Sequence, residues 1–342
     1  MSSEKDSKAM EMVQELIHPS TKERALLNQI VGAVDASIDS VQDTLGIKKE
    51  WEESKEPIDL YDPSVDKDPP IKLHVLHLGD TLVDECNIFS DVATTINPLG
   101  GYRFGRNHEK FDITIPVTAY LIEHPKGRVL IDTGFNSRVR TDPVGELTEI
   151  HYTINPPVQK EGEAVDEVLA SMGIKPEDLD YVVLSHMHTD HASGLQLVKN
   201  AKKLLVSDLE YAGAQKNPMA FLPHMWEGTG LETFKLEKTG IGPQGMSFDL
   251  FGDGTVVFVL MLGHTEGQCG TIISNNGKKI VLTADIGYGA ISWRQMIMPK
   301  VVSSREEMAD SMIWIREMEQ RDDVIACLSN HEKFLKSREY IF

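Results

Sequence analysis

Four side chains able to bind a metal crowd into six residues of the run Ser185-His186-Met187-His188-Thr189-Asp190-His191. A lone histidine on an apolar face is ordinarily a satisfied core residue. Three imidazoles and a carboxylate on one loop are different, because they would be poorly hydrated unless a cation organised them. The alternating spacing sends His186 and His188 the same way and leaves Asp190 and His191 free to turn towards a second ion. Further partners come from three places downstream: His264 in Met261-Leu262-Gly263-His264-Thr265-Glu266-Gly267, Asp285 after Ile280-Val281-Leu282-Thr283-Ala284, and His331 in Ser329-Asn330-His331-Glu332. Each is ambiguous alone. All follow an apolar strand-like run, and an acid at such a strand end is costly unless it is paired or bound to metal.

The elements that must hold these residues are legible as alternating runs. Ile71 to Leu76 reads as a strand, and Val117 to Ile122 leads through a Pro125-Lys126-Gly127 turn into Arg128 to Asp132, a hairpin closing on Asp132-Thr133-Gly134. A helix follows, with Val165, Val168, Leu169 and Met172 on one face and Gly173 at its end. Tyr181 to Leu184 is the strand that delivers the histidine-rich loop. Further strands are expected near 203–207, 255–262, 270–274, 279–284 and 323–328, with a helix over 305–319. Interleaved strands, hairpins and helices predict a mixed α/β sandwich.

Residues 1–70 read differently. Met10, Val13 and Ile17 recur at helical spacing, and a second stripe runs from Leu27 through Ile30, Val31, Val34, Ile38 and Val41 to Leu45, with Gly46 beyond it. The acid- and proline-rich stretch from Lys48 to Pro70 lacks periodicity and reads as a linker wrapped over the surface. The expected division is an acidic helical hairpin and linker over 1–70, then a main domain over 71–342 that holds the candidate ligands. A stripe of that length would be unusual on a monomer, so a homodimer through these helices is expected.

Composition narrows the partners. A net charge of −19 disfavours nucleic acid and anionic lipid and leaves a small molecule as the expected substrate. No apolar run approaches the roughly 20 residues that span a bilayer, and the polar N-terminus carries no secretory pattern. Three cysteines, Cys86, Cys269 and Cys327, without CxxC spacing suit a reducing cytoplasm.

The string HMHTDH matches the HxHxDH motif of the metallo-β-lactamase superfamily, and IDTG, GHTEG and the strand-end Asp285 stand in that family's order. Within it the chain most resembles the N-acyl-homoserine lactonases. Tyr288 lies three residues after Asp285, where those enzymes carry a catalytic tyrosine; Phe221-Leu222-Pro223-His224 resembles their Leu-Pro-His segment; and the chain ends similarly in Arg338-Glu339-Tyr340-Ile341-Phe342. The resemblance covers residues 71–342 and implies an αββα sandwich with an N-terminal helical extension. It implies that His186, His188 and His264 hold one divalent metal, that Asp190, His191 and His331 hold another, and that Asp285 bridges them. Imidazole and carboxylate suit zinc, although iron, manganese or cobalt fit the same ligands. A hydroxide between the metals would open a lactone ring, with Tyr288 steadying the carbonyl oxygen and Asp190 carrying a proton to the leaving group. Two departures, Gln268 in place of a second histidine and Glu332 in place of aspartate, remove no ligand and bear on the substrate. A glyoxalase II-type thioesterase, another ester hydrolase, or a metal-stabilised scaffold without turnover are the alternatives.

Overall fold

The computed structural model describes residues 57–88, 112–332, 335 and 337–342. The helical hairpin expected before Gly46 lies outside the described residues, as do residues 89–111. Residues 57–70 are exposed or half-buried along the domain surface. Within them β1 (Ile58–Asp59) pairs in parallel with the C-terminal strand, and Asp66 takes the Lys278 ammonium at 3.1 Å.

The first sheet is built around a long antiparallel pair, β2 (Lys72–Asp84) and β3 (Asp112–His124), and β3 turns back as β4 (Gly127–Ile131). The short β5 (Pro157–Val158) pairs with β2. Then β6 (Tyr181–Val183), β7 (Leu204–Ser207) and β8 (Glu232–Phe234) add in parallel beyond β4. Parallel neighbours need crossovers, which here carry α1 (Pro143–Ile154), α2 (Val165–Ser171), α3 (Thr189–Ala192) and α4 (Asp208–Lys216).

The second sheet holds β9 (Glu237–Lys238), β10 (Met246–Asp249), β11 (Val256–Leu260), β12 (Cys269–Asn275), β13 (Lys278–Ala284) and β14 (Val324–Ser329), each paired with the next. Only the β13–β14 pair is parallel among these, and its crossover carries α5 (Ala290–Gln295) and α6 (Arg305–Glu319). The closing β15 (Arg338–Ile341) returns to the first sheet beside β2.

Alternation along the strands sorts their side chains into three cores. Leu73, Tyr120, Ile122 and Ile131 meet Phe258, Ile273, Ile280 and Leu282 between the sheets. Leu121, Leu130 and Val182 face Val165, Leu169 and Leu195 outside the first sheet. Val257, Val259 and Val281 face Trp293, Met308, Met312 and Ile315 outside the second. The result is the expected αββα sandwich.

The helix over 305–319 forms for reasons visible in the sequence. Ser304 accepts from Glu307 N–H at 3.3 Å, Glu306 and Glu307 sit at the positive end, and Met308, Met312 and Ile315 turn inward at helical spacing. This helix also seats the third ligand motif. At Gly263, whose φ is +126°, a Cβ would lie 2.3 Å from the Met308 Cα, so only glycine lets the turn before His264 rest on α6. Several elements were not anticipated, among them α1, α4, α5 and the strands β8, β9 and β10. They are short or irregular; α1 is broken at Thr148, whose φ is +67°.

Candidate metal centre

All seven expected ligands converge. They fall into three overlapping groups, each with ligand atoms within 4.8 Å of one another: His186, His188 and His264; His186, His191 and Asp285; and Asp190, His191 and His331. The strand ends deliver them: β6 leads into the His186–His191 loop, β11 into the turn bearing His264, β13 into Asp285 and β14 into His331.

The histidines are aimed by what their other ring nitrogen does. His264 Nδ1–H donates to the Val301 carbonyl at 3.0 Å and His331 Nδ1–H to the Pro116 carbonyl at 2.8 Å. His191 Nδ1–H donates to Asp132 at 2.9 Å, and His186 Nδ1–H to Ser185 Oγ at 3.1 Å. A carbonyl or carboxylate can only accept, and the Ser185 hydroxyl gives its own proton to Asp132, so each anchor fixes the tautomer and turns Nε2 inward, the arrangement metal-bound histidines adopt.

In one half three ring nitrogens crowd together with at most one proton among them, on His188 Nδ1, an arrangement that suits a cation. His188 Nδ1 lies 3.2 Å from His186 Nε2 and 2.9 Å from His264 Nε2. Across the cluster, His191 Nε2 and Asp285 Oδ1 are buried with no hydrogen-bond partner. Buried polar atoms are otherwise nearly always satisfied, so orphaned donors and acceptors converging from four loops fit divalent metal. Asp285 stands between the two halves. Its Oδ2 is 3.4 Å from His264 Nε2 on one side and 3.3 Å from His331 Nε2 on the other, while its Oδ1 is 3.5 Å from His191 Nε2. His331 Nε2 also lies 3.3 Å from Asp190.

Electrostatics divide the cluster in two. Burial first, then neighbouring imidazoles, hold His186 well below the ordinary histidine range and His188 at about 3. His264 is lowered as well, with burial outweighing Asp285. In the other half burial is overcome. Asp285 and Asp190 push His331 up to about 10, and the same two acids with Asp132 hold His191 well above its usual value. Against the cost of burial, His191 and His331 in turn pull Asp190 down to about 2 and Asp285 well below the carboxylate range.

Tyr288 stacks on His331, with ring centroids 5.2 Å apart. Burial, then the charges of Asp285 and Asp190, keep its phenol well above its ordinary value, so its hydroxyl stays neutral and can donate a hydrogen bond. Glu332 ties this tyrosine's loop to the last ligand: its carboxylate accepts from Ala290 N–H at 2.8 Å, and burial raises it to about 7. Phe221, from the Phe-Leu-Pro-His segment, stacks on His188 at 5.1 Å. Gln268 is fully buried with neither amide atom hydrogen-bonded. A pocket of about 480 Å³ beside Tyr211, Pro223 and Trp226 is lined by none of the seven ligand candidates.

Asp132 is given no role by the sequence, where it shows only as a strand-end residue before Thr133-Gly134 and as part of the IDTG string. It is fully buried and accepts from Ser185 N–H at 2.7 Å, Ser185 Oγ at 2.8 Å, Asn330 Nδ2 at 2.7 Å and His191 Nδ1. Both Asp132, with φ +63°, and Ala284, with φ +48°, hold left-handed conformations that non-glycine residues rarely adopt. Such strain costs on the order of 1–3 kcal/mol and gathers where function fixes the backbone.

Comparison with known proteins agrees with this geometry. Residues 113–326 match the family model of the metallo-beta-lactamase superfamily. The N-acyl homoserine lactonase AttM of Agrobacterium fabrum is 31% identical over 220 residues, covering 62% of this chain and 80% of that protein. An N-acyl homoserine lactone hydrolase solved with N-hexanoyl-L-homoserine at its catalytic metal centre superposes with a TM-score of 0.60 at 20% identity, over 76% of this chain and 93% of its own. A probable metal-dependent hydrolase from Staphylococcus aureus gives 0.58 at 21% identity, over 78% and 91%. With family motif, fold and converging ligands in agreement, this chain belongs to the metallo-beta-lactamase superfamily and is a relative of its N-acyl homoserine lactonases.

Proposed function

We propose that the protein is a binuclear metal-dependent hydrolase that opens lactone rings, with N-acyl-homoserine lactones as the substrate class. The observation that carries this is the convergence of five histidines and two aspartates with Tyr288 at its edge. His186, His188 and His264 would hold one divalent ion, Asp190, His191 and His331 the other, and Asp285 both. When bound, the ions supply a water of lowered pKa and positive charge against a developing oxyanion. Zinc is the metal we favour for this imidazole and carboxylate set.

The chain's own residues then divide the remaining work. Tyr288, neutral at working pH, donates a hydrogen bond to the lactone carbonyl oxygen as charge builds on it. Asp190, ionised, accepts the proton shed by the attacking water and returns it to the ring oxygen as the ester bond breaks. Phe221 and Tyr288 form apolar walls on either side, stacked on His188 and His331. The relatives named as N-acyl homoserine lactonases support the substrate class.

The boundary near residue 70, with 1–70 as a dimer-forming extension, and a cytoplasmic location are parts of the same reading. Cys269 and Cys327 are free thiols, as a reducing compartment would leave them. Among the described residues no helix is long and apolar enough to cross a membrane.

The test is ring opening of acyl-homoserine lactones of several chain lengths, followed by pH-stat, beside Tyr288→Phe. Turnover by the metal-loaded wild type, reduced about 10²-fold in kcat by the substitution, is expected. A fully metallated wild type that opens no lactone yet cleaves a thioester would sink the lactonase reading.

A further inference from the structure

The three-histidine half is assembled from two loops that are remote in sequence. His186 and His188 flank Met187 after β6, and His264 stands two residues before Glu266 after β11. A backbone hydrogen bond from Cys269 N–H to the Ser185 carbonyl, at 2.9 Å, joins the loops at their base. Nearer the ligands, a side chain from a third element joins them. Glu210, on the first turn of α4, is 1% exposed. Its Oε1 accepts from Met187 N–H at 2.9 Å, and its Oε2 accepts from Thr265 Oγ at 2.6 Å and Gly267 N–H at 3.1 Å.

The contact is built on both sides. Ser207 Oγ accepts from Glu210 N–H at 3.0 Å and donates to the Gly267 carbonyl at 2.7 Å. A Cβ at Gly267 would lie 2.0 Å from the Glu210 nitrogen, so the turn is pressed directly on the start of α4. A buried carboxylate held only by neutral donors is an expensive way to fill space, and an apolar side chain would fill it more cheaply. What the carboxylate adds is geometry, because its two oxygens fix the backbone on both sides of one metal position.

We propose that Glu210 is a positioning residue that clamps the two ligand loops in register, and that losing its second acceptor empties the three-histidine half while the other half stays filled. This rests on the metal-centre reading above. The selectivity follows from the anchors. His191 is held by Asp132 and by Thr133, whose backbone N–H and hydroxyl both donate to the His191 carbonyl at 2.9 and 2.6 Å. His331 is held by Pro116. Glu210's own hydrogen bonds go to Met187, Ser207, Thr265 and Gly267 instead. In Glu210→Gln one acceptor becomes an amide N–H₂, which must confront either Met187 N–H or Gly267 N–H, since both can only donate.

The test uses the full chain, stripped with a chelator and reloaded stepwise with cobalt. Retained metal is measured after desalting, and hyperfine-shifted imidazole N–H resonances count the histidines on each ion. The wild type is expected to keep two ions. Glu210→Gln is expected to keep one, with the resonances of His191 and His331 present and those of the three-histidine half lost, its affinity there lower by about 10–100-fold. Excess cobalt should restore the missing resonances. Thr265→Val, which removes only one hydroxyl donor and decides the matter should Glu210→Gln not fold, is expected to shift the same half less. Folded variants holding both ions with wild-type affinity would overturn the clamp and leave the metal centre standing, as would equal loss from both halves. A wild type that does not take up two ions would overturn the metal centre and the clamp with it.

Discussion

The two halves of the centre are made from the same imidazoles and solve the cost of burial in opposite ways. His186, His188 and His264 have no carboxylate to themselves, and burial keeps them neutral, so the three nitrogens that meet at 2.9–3.2 Å share at most one proton, on His188 Nδ1. Asp190, His191 and His331 include their own acid, and there protons can stand in for a cation. The difference teaches that one half is organised by geometry imposed from outside, through Val301, Ser185 and Glu210, while the other is partly self-assembling through charge. Asp285 is the one ligand candidate that faces both solutions.

That shared position makes Asp285→Asn the largest expected effect. The amide cannot face His264, His191 and His331 with acceptors alone, so both halves should weaken together. Loss of several kcal/mol of transition-state stabilisation corresponds to a fall of at least about 10³ in kcat/KM, with less than the full metal complement on elemental analysis. An Asn variant emptied in one half only would break the view of Asp285 as common to both.

Proton release sharpens the contrast. A ligand nitrogen must be deprotonated, and His331, raised to about 10, carries its proton throughout the neutral range in the metal-free chain. Metal entering that half must therefore expel protons, and its affinity should rise about tenfold per pH unit for each proton displaced between pH 6 and 8. His188, at about 3, is already neutral there, so the three-histidine half should show almost no slope. Calorimetric titration in buffers of different ionisation enthalpy reads both numbers. Equal slopes would mean the halves do not differ as described.

Asp132→Asn should act next. Its carboxylate receives the His191 ring, the Ser185 backbone and hydroxyl, and Asn330. An amide in its place leaves one of those donors facing another, and metal affinity should drop about 10–100-fold, chiefly in the half that contains His191. Competition with a chromophoric chelator measures it.

How much of this was readable in the sequence follows from which contacts are local. The run from His186 to His191 and the strand-end positions of His264, Asp285 and His331 carry their own context, so the candidate ligands that converge and the sandwich were legible before any coordinates. Positioning residues were not. Asp132 belongs to the IDTG string, but nothing in that string names its partners, which lie 53, 59 and 198 residues away. Glu210 looks like a solvated acid at a helix start, where the dipole already explains a carboxylate. Pro116 and Val301 act through their carbonyls, so their side chains give no sign at all. Irregular α1 escaped because Val144 and Ile150 stay exposed and blur its periodicity.

The smallest expected effect tests whether outside geometry reaches even the substrate side of the three-histidine half. His188 is the one histidine of the centre whose ring is stacked flat on an aromatic residue that is not itself histidine or tyrosine, the Phe221 ring inclined at 12°. Phe221→Leu keeps the bulk but removes the flat face, an interaction of about 0.5–1.5 kcal/mol. If stacking helps hold the His188 ring, metal affinity in that half should fall by a few-fold, with the other half untouched. If Phe221 serves only as a wall for the acyl chain, metal binding will be unchanged and KM alone will move, most for the longest chains. The two outcomes separate a support of the metal position from a surface for the substrate, because a wall has no means of altering a metal equilibrium measured without substrate.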